Sequence, residues 1–214
     1  MLVTVSGVVG SGKSTIARAV VEHLAQHGID ASVHRFQSLP CFTLLRSSLS
    51  VSTVINATTS TATTDAPLRW RDYRPRRLSF ASFVVYFARI AAFQAFRATR
   101  WRGNRCHVLN RYFIDLLPHL QLTAPFERAL YAVLRRAIPR PDLAILVDAD
   151  TPILFDRRPE YAREYITRVA AGYRERKSDI PWLVEIRTDV GDAWKAQLEA
   201  ALAPLVAAGR RSSG

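Results

Sequence analysis

The stretch Leu2-Val3-Thr4-Val5-Ser6-Gly7-Val8-Val9-Gly10-Ser11-Gly12-Lys13-Ser14-Thr15 sets the reading of everything that follows it. Its apolar opening suits a short strand, and apolar, helix-forming residues resume from Ile16 to Gln26. Between them, Gly7 to Ser14 fills every fixed position of the pattern G-x-x-x-x-G-K-[ST], in the strand-loop-helix context that pattern requires. Glycines let successive backbone N–H groups turn inward as an anion nest, and the helix N-terminus adds partial positive charge. Lys13 would reach the β- and γ-phosphates of a nucleotide, and the Ser14 hydroxyl would ligate Mg²⁺. Gly7, Val8, Val9, Gly10, Ser11, Gly12, Lys13, Ser14 and Thr15 are thus the candidate nucleotide-binding residues, with ATP and Mg²⁺ as expected cofactors. The alternative is a glycine-rich turn that binds nothing. At ordinary residue usage a chance match is expected less than roughly once in a hundred chains of this length, so the phosphate-binding reading leads.

A chain of 214 residues, 49% of them hydrophobic, fits one domain with a real core. Cys41 and Cys106 have neither a disulfide framework nor metal-ligand spacing and read as core thiols. The first residues run straight into a strand without a secretory signal, and the most apolar run, Phe80 to Phe96, is interrupted by Arg89. These features predict a soluble cytoplasmic protein with no membrane partner. The net charge of +12 is almost wholly arginine, since Lys13, Lys177 and Lys195 are the only lysines. Such a field attracts polyanions. The arginines are scattered, however, without a basic-aromatic repeat or a continuous basic helix, so small anionic substrates and a general arginine bias explain the charge at least as well as nucleic acid does.

Along the chain, a first helix is expected to about His27, stopping at Gly28, and a second strand over Ala31–Phe36. Residues 47–66 are rich in serine and threonine and read as a mobile loop, or as a lid that orders on substrate. The cluster Trp70-Arg71-Asp72-Tyr73-Arg74-Pro75-Arg76-Arg77 reads equally as a substrate-facing surface or a solvated loop. A long amphipathic helix is expected from Leu78 to Trp101, then a strand ending at Asn110-Arg111-Tyr112 and a helix over Asp115–Leu122. Another helix ends near Ile138, and Leu143–Asp148 reads as a central parallel strand. Helices are expected from Thr151 through Arg158 and over Glu160–Arg176, then a strand to Arg187 and a helix over Val190–Ala208. Strand-helix alternation predicts one α/β domain over residues 1–209 with a frayed tail at 210–214. Its five strands form a doubly wound parallel sheet with ligands at the strands' carboxyl ends.

With these elements in place, the chain resembles the thymidylate kinase family of nucleoside monophosphate kinases. The resemblance rests on Gly12-Lys13-Ser14-Thr15, Phe87-Ala88-Arg89, Asn110-Arg111-Tyr112, Pro141-Asp142 through Val147-Asp148, and Arg157-Arg158. A closer branch has the patterns seen here as Arg111-Tyr112-Phe113-Ile114-Asp115-Leu116-Leu117 and Pro139-Arg140-Pro141-Asp142. It implies a three-layer α/β/α P-loop NTPase fold with a five-stranded parallel sheet, and the reaction ATP + dNMP to ADP + dNDP. Arg89 and Arg111, with Arg35 and Tyr112, would bind the acceptor phosphate. Arg157 or Arg158 would reach the transferring phosphoryl group. The resemblance also implies a homodimer along the long helix near Arg89. Arginine suits these tasks because its planar fork binds phosphate oxygens bidentately and keeps its charge.

Some positions depart from the family pattern. Val9 stands where an acidic residue is usual, Asn110 replaces the aspartate of Asp-Arg-Tyr, and Asp115 stands where serine is usual. Asp115 reads either as a general base for a hydroxyl acceptor or as a helix cap; Arg157 and Arg158 read either as catalytic or as a solvated helix face. Three functions remain open at this point. They are a kinase for a dTMP-like nucleoside monophosphate, a kinase for a nucleoside or sugar-like hydroxyl acceptor with Asp115 as base, and a regulatory or nucleic-acid-linked ATP-binding protein.

Overall fold

Strand β1 (Leu2–Gly7) is buried along all six residues, because the sheet carries helices on both faces. The computed structural model describes residues 1–42, 76–101, 103 and 105–211. The serine/threonine-rich stretch and the Trp70 cluster as far as Pro75 lie outside the described residues. The remaining elements are α1 (Lys13–Gln26), β2 (Ala31–Arg35), β3 (Arg76–Arg77), α2 (Phe80–Arg100), β4 (Cys106–Asn110), β5 (Leu120–Gln121), α3 (Pro125–Ala137), β6 (Leu143–Asp148), α4 (Thr151–Arg157), α5 (Arg163–Lys177), β7 (Leu183–Arg187) and α6 (Ala193–Arg211).

Five strands form one parallel sheet in the order β2-β4-β1-β6-β7. Alternate residues of β1 feed opposite layers. Val3 and Val5, with Val108, Ile145 and Ile186, pack on Ile16, Val20 and Leu24 of α1 and Leu198 and Leu202 of α6. On the other face Leu2 and Leu109 meet Ile90 and Phe93 of α2 and Leu134 of α3, while Leu146 meets Ile166 and Tyr173 of α5. The result is the expected three-layer α/β/α arrangement. Burying each such aliphatic side chain contributes about 1.5–3 kcal/mol relative to exposure, so the period-two pattern decides which face each helix covers.

The first helix stops as the sequence predicts. Gly28 has φ +74°, its N–H donates to Ala25, and Ile29 N–H donates to Leu24, a Schellman ending whose flanking residues are both buried.

The segment after β4 differs from expectation. Instead of a helix over 115–122, a 3-10 helix spans Phe113–His119, and Leu120–Gln121 then pairs in parallel with β3. Pro118 supplies no N–H to the helix, and the close approach of Gly172 lets α5 pack directly on it. At the other end of the chain, α6 continues to Arg211, beyond the expected boundary at 209. Among the described residues no helix is long and apolar enough to cross a membrane.

Candidate functional site

Strand order reverses around β1, so the carboxyl ends of β1, β4 and β6 form the crevice where doubly wound sheets take ligands. The loop from Gly7 to Gly12 leaves β1 there. Gly7, Gly10 and Gly12 have φ of +148°, +83° and +89°, which side chains resist. A Cβ at Gly7 would lie 2.2 Å from the Val147 carbonyl oxygen, so this position excludes a side chain on steric grounds as well. Val8 turns its side chain into the core beside Leu146 and Leu154 and anchors the loop. Val9 is half-buried, and Thr15 and Ser14 are exposed at the start of α1.

Lys13 folds back and donates from Nζ to the Val8 carbonyl at 2.6 Å. Burial lowers its pKa from the ordinary value to about 8; Arg111 and Arg158 push the same way and Asp115 opposes them. The charges of Arg111 and Arg158 thus both bear on the Lys13 ammonium, an arrangement suited to an anion.

Arg111 follows β4 directly. Its φ of +75° makes it the only non-glycine residue in the left-handed region among the described residues. Such a conformation costs on the order of 1–3 kcal/mol and persists only where neighbours hold it. Its N–H still donates to Val5 at 2.9 Å, extending the β4–β1 ladder by one bond. The residue before it, Asn110, donates from Nδ2 to Ser14 Oγ at 3.2 Å.

The two arginines after β6 play different parts. Arg157 donates to the Thr188 carbonyl at 3.0 Å, to Thr188 Oγ1 at 3.1 Å and to the Gly10 carbonyl at 3.4 Å. Thr188 Oγ1 in turn donates to the Ser11 carbonyl at 2.9 Å. Arg157 is therefore a strut that ties the loop after β7 to the back of the glycine loop. Arg158 lies over Gly10, where a Cβ would meet its Cγ at 3.1 Å, and pairs with Glu160 at 3.2 Å. More than half of its side chain is exposed, so Arg158 is the arginine of the pair free to turn toward a ligand.

The other expected site residues make contacts of their own. Tyr112 is a core residue, 2% exposed, whose hydroxyl donates to the Pro139 carbonyl at 2.6 Å; only its backbone serves the site. The Arg89 guanidinium stacks over Phe42 at 4.6 Å, where burial lowers its pKa. Arg35 is exposed at the end of β2, in register with Asn110. Asp148 keeps the strand end in place: its carbonyl accepts from Thr188 N–H, and its carboxylate pairs with Arg174 at 3.2 Å.

Asp115 is the most heavily engaged polar side chain here. Its Oδ2 accepts from Ser6 Oγ at 2.6 Å and Tyr112 N–H at 2.7 Å; its Oδ1 accepts from Tyr173 OH at 2.7 Å and Gly7 N–H at 3.5 Å. The bond to Tyr112 N–H is the capping geometry that the sequence left as one alternative. Sequence reasoning missed Tyr173 and Thr188. Thr188 had a signal, since it follows a parallel strand's carboxyl end; Tyr173 looks like any apolar-face residue of an amphipathic helix.

The exposed Ser14 hydroxyl, at the first turn of α1, accepts from the Asn110 amide nitrogen. No family model matches the chain, and no curated protein is similar to it in sequence. What fold and geometry define is a three-layer α/β/α protein with a glycine-built loop at the sheet's switch point, where the charges of Arg111 and Arg158 bear on Lys13.

Proposed function

We propose that this protein is a kinase that moves the γ-phosphoryl group of ATP to a nucleoside monophosphate, with a dTMP-like acceptor as first choice. The observation that carries the reading is Lys13 on a loop whose three glycines have left-handed backbone, with the charges of Arg111 and Arg158 both bearing on its ammonium. Phosphoryl transfer is mostly positioning and charge neutralisation, and these groups supply both. The loop N–H groups and Lys13 would hold the ATP phosphates, Arg111 would hold the acceptor phosphate, and Arg158 would leave Glu160 to reach the transferring group. Ser14, beside Asn110, would hold Mg²⁺, which supplies charge neutralisation at the β- and γ-phosphates when bound.

Asp115 argues against the hydroxyl-acceptor alternative. A general base needs a free lone pair aimed at substrate, and both Asp115 oxygens already accept two donors each. One observation favours a slow or regulatory nucleotide-binding protein instead: the Ser14 hydroxyl is met by an uncharged amide rather than by a carboxylate.

The outer face of α2 exposes Phe80, Val84 and Phe87 at helical spacing. We assign this stripe to the homodimer contact that the family resemblance implies.

The deciding experiment is ADP release with ATP and Mg²⁺ against nucleoside monophosphates, nucleosides and sugar phosphates. Release that depends on a monophosphate is expected. Release only with an unphosphorylated acceptor would overturn the acceptor class, and bound ATP with no release on the whole panel would favour the regulatory reading.

A further inference from the structure

Four donors from three parts of the chain meet on the Asp115 carboxylate. Ser6 and Gly7 belong to the entry of the phosphate loop, Tyr112 N–H belongs to the turn that carries Arg111, and Tyr173 belongs to α5. Tyr173 is 7% exposed, and its hydroxyl has no backbone role in its own helix. Helix α5 follows directly on the segment bearing Arg157 and Arg158. Its next residue, Arg174, holds Asp148 at the end of β6. Two consecutive residues of α5 therefore reach Asp115, which holds the end of β1, and Asp148 at the end of β6.

The chemistry of the grip is specific. The carboxylate brings negative charge to bear on Lys13, opposing the push of Arg111 and Arg158 on the same ammonium. A hydroxyl donor at 2.7 Å to a carboxylate is a strong, directional bond, more so when buried. It fixes the plane of the carboxylate, and so the direction in which Oδ2 holds Ser6 and Tyr112 N–H. Without it, the left-handed Arg111 turn and the loop entry lose their common reference.

We propose that Tyr173 and Asp115 form a positioning pair that registers the phosphate loop against the Arg111 turn, so that α5 sets the geometry with which the site receives the phosphates of a nucleotide. The inference rests on the kinase reading for the identity of the ligand. It makes Tyr173 a positioning residue, since its hydroxyl is spent on Asp115.

The test is equilibrium binding of MgATP to the full chain by calorimetry, beside thermal unfolding, for wild type, Tyr173→Phe, Ser6→Ala and the double variant. Each substitution removes one hydroxyl from Asp115 and keeps its charge, whereas Asp115→Asn would also disturb the Tyr112 cap. Tyr173→Phe is expected to weaken ATP about tenfold while shifting Tm by no more than about 2 °C. Ser6→Ala is expected to weaken it similarly, and the double variant by less than the product, since both act through one carboxylate. Wild-type ATP affinity in Tyr173→Phe, or losses that multiply in the double variant, would overturn the pair and leave the kinase reading standing. Wild-type protein that binds no ATP, or binds it equally well as Lys13→Ala, would overturn the kinase reading and the pair with it.

Discussion

Asn110 donates through Nδ2 to the hydroxyl of Ser14 across 3.2 Å, joining the end of β4 to the first turn of α1. On the kinase reading proposed above, the contact brings a neutral amide where a carboxylate near the metal would gain most.

Asn110→Asp is therefore expected to lower the Mg²⁺ concentration needed for half-maximal ADP release by about tenfold and to raise the rate, one charge being worth on the order of 1–2 kcal/mol at a partly exposed site. A Mg²⁺ titration of both proteins checks this. An unchanged half-saturation point would mean that residue 110 does not face the metal.

Lys13 carries a linkage prediction. In the unfolded chain it keeps its proton to the ordinary 10.5, in the folded chain only to about 8. Between those values the unfolded state binds more protons, so this group makes stability rise with pH across that window and costs the fold at pH 7. Lys13→Met should raise Tm at pH 7 by about 3 °C, with the gap closing between pH 8 and 10.5, while transfer is abolished. A variant no more stable than wild type at pH 7 contradicts this account of the ammonium.

Arg157 and Arg158 should separate kinetically. Arg158→Ala is expected to cut kcat at least roughly a hundredfold with little change in Tm, because its role begins when ligand arrives. Arg157→Ala should lower Tm and raise the KM for ATP, since it removes the strut between Thr188 and Gly10. Equal effects of the two would show that the division of roles is wrong.

Gly7 and Gly12 both have left-handed backbone, yet their surroundings differ. A Cβ at Gly12 finds its nearest neighbour at 3.7 Å, whereas one at Gly7 collides with Val147 at 2.2 Å. Gly12→Ala should cost on the order of 1 kcal/mol in urea unfolding, and Gly7→Ala at least roughly 3 kcal/mol or the fold itself. Comparable stabilities would refute the close approach of the loop to β6.

Phe87→Glu places a charge in the exposed stripe with Phe80 and Val84. Sedimentation should show a dimer for wild type at micromolar concentration and a monomer for the variant. A monomeric wild type would sink the contact assigned to α2.

The layered fold was legible because its signals are local and repeated. Continuous apolar runs such as Leu143–Asp148 demand a strand covered on both faces, and the Gly28 ending of α1 is encoded within a few residues. The 3-10 segment at Phe113–His119 was not, because its geometry depends on how α5 packs over Pro118. Tyr112 was read from its place in a motif, while its side-chain direction follows from the aromatic packing of Phe36, Phe93 and Phe113 around it.

By itself the sequence determined the order of strands and helices, the glycine loop and the positions at which cations could gather. Those depend on residue spacing and on backbone freedom, which are properties of short stretches. The tertiary structure alone decided that Arg157 braces Thr188 while Arg158 pairs with Glu160 over Gly10, and that Asp115 takes four donors. It also decided that Tyr173, far along the chain, joins the glycine loop through Asp115. Such roles are set by which hydrogen-bond partners compete for a side chain, and those partners come together only when distant segments pack.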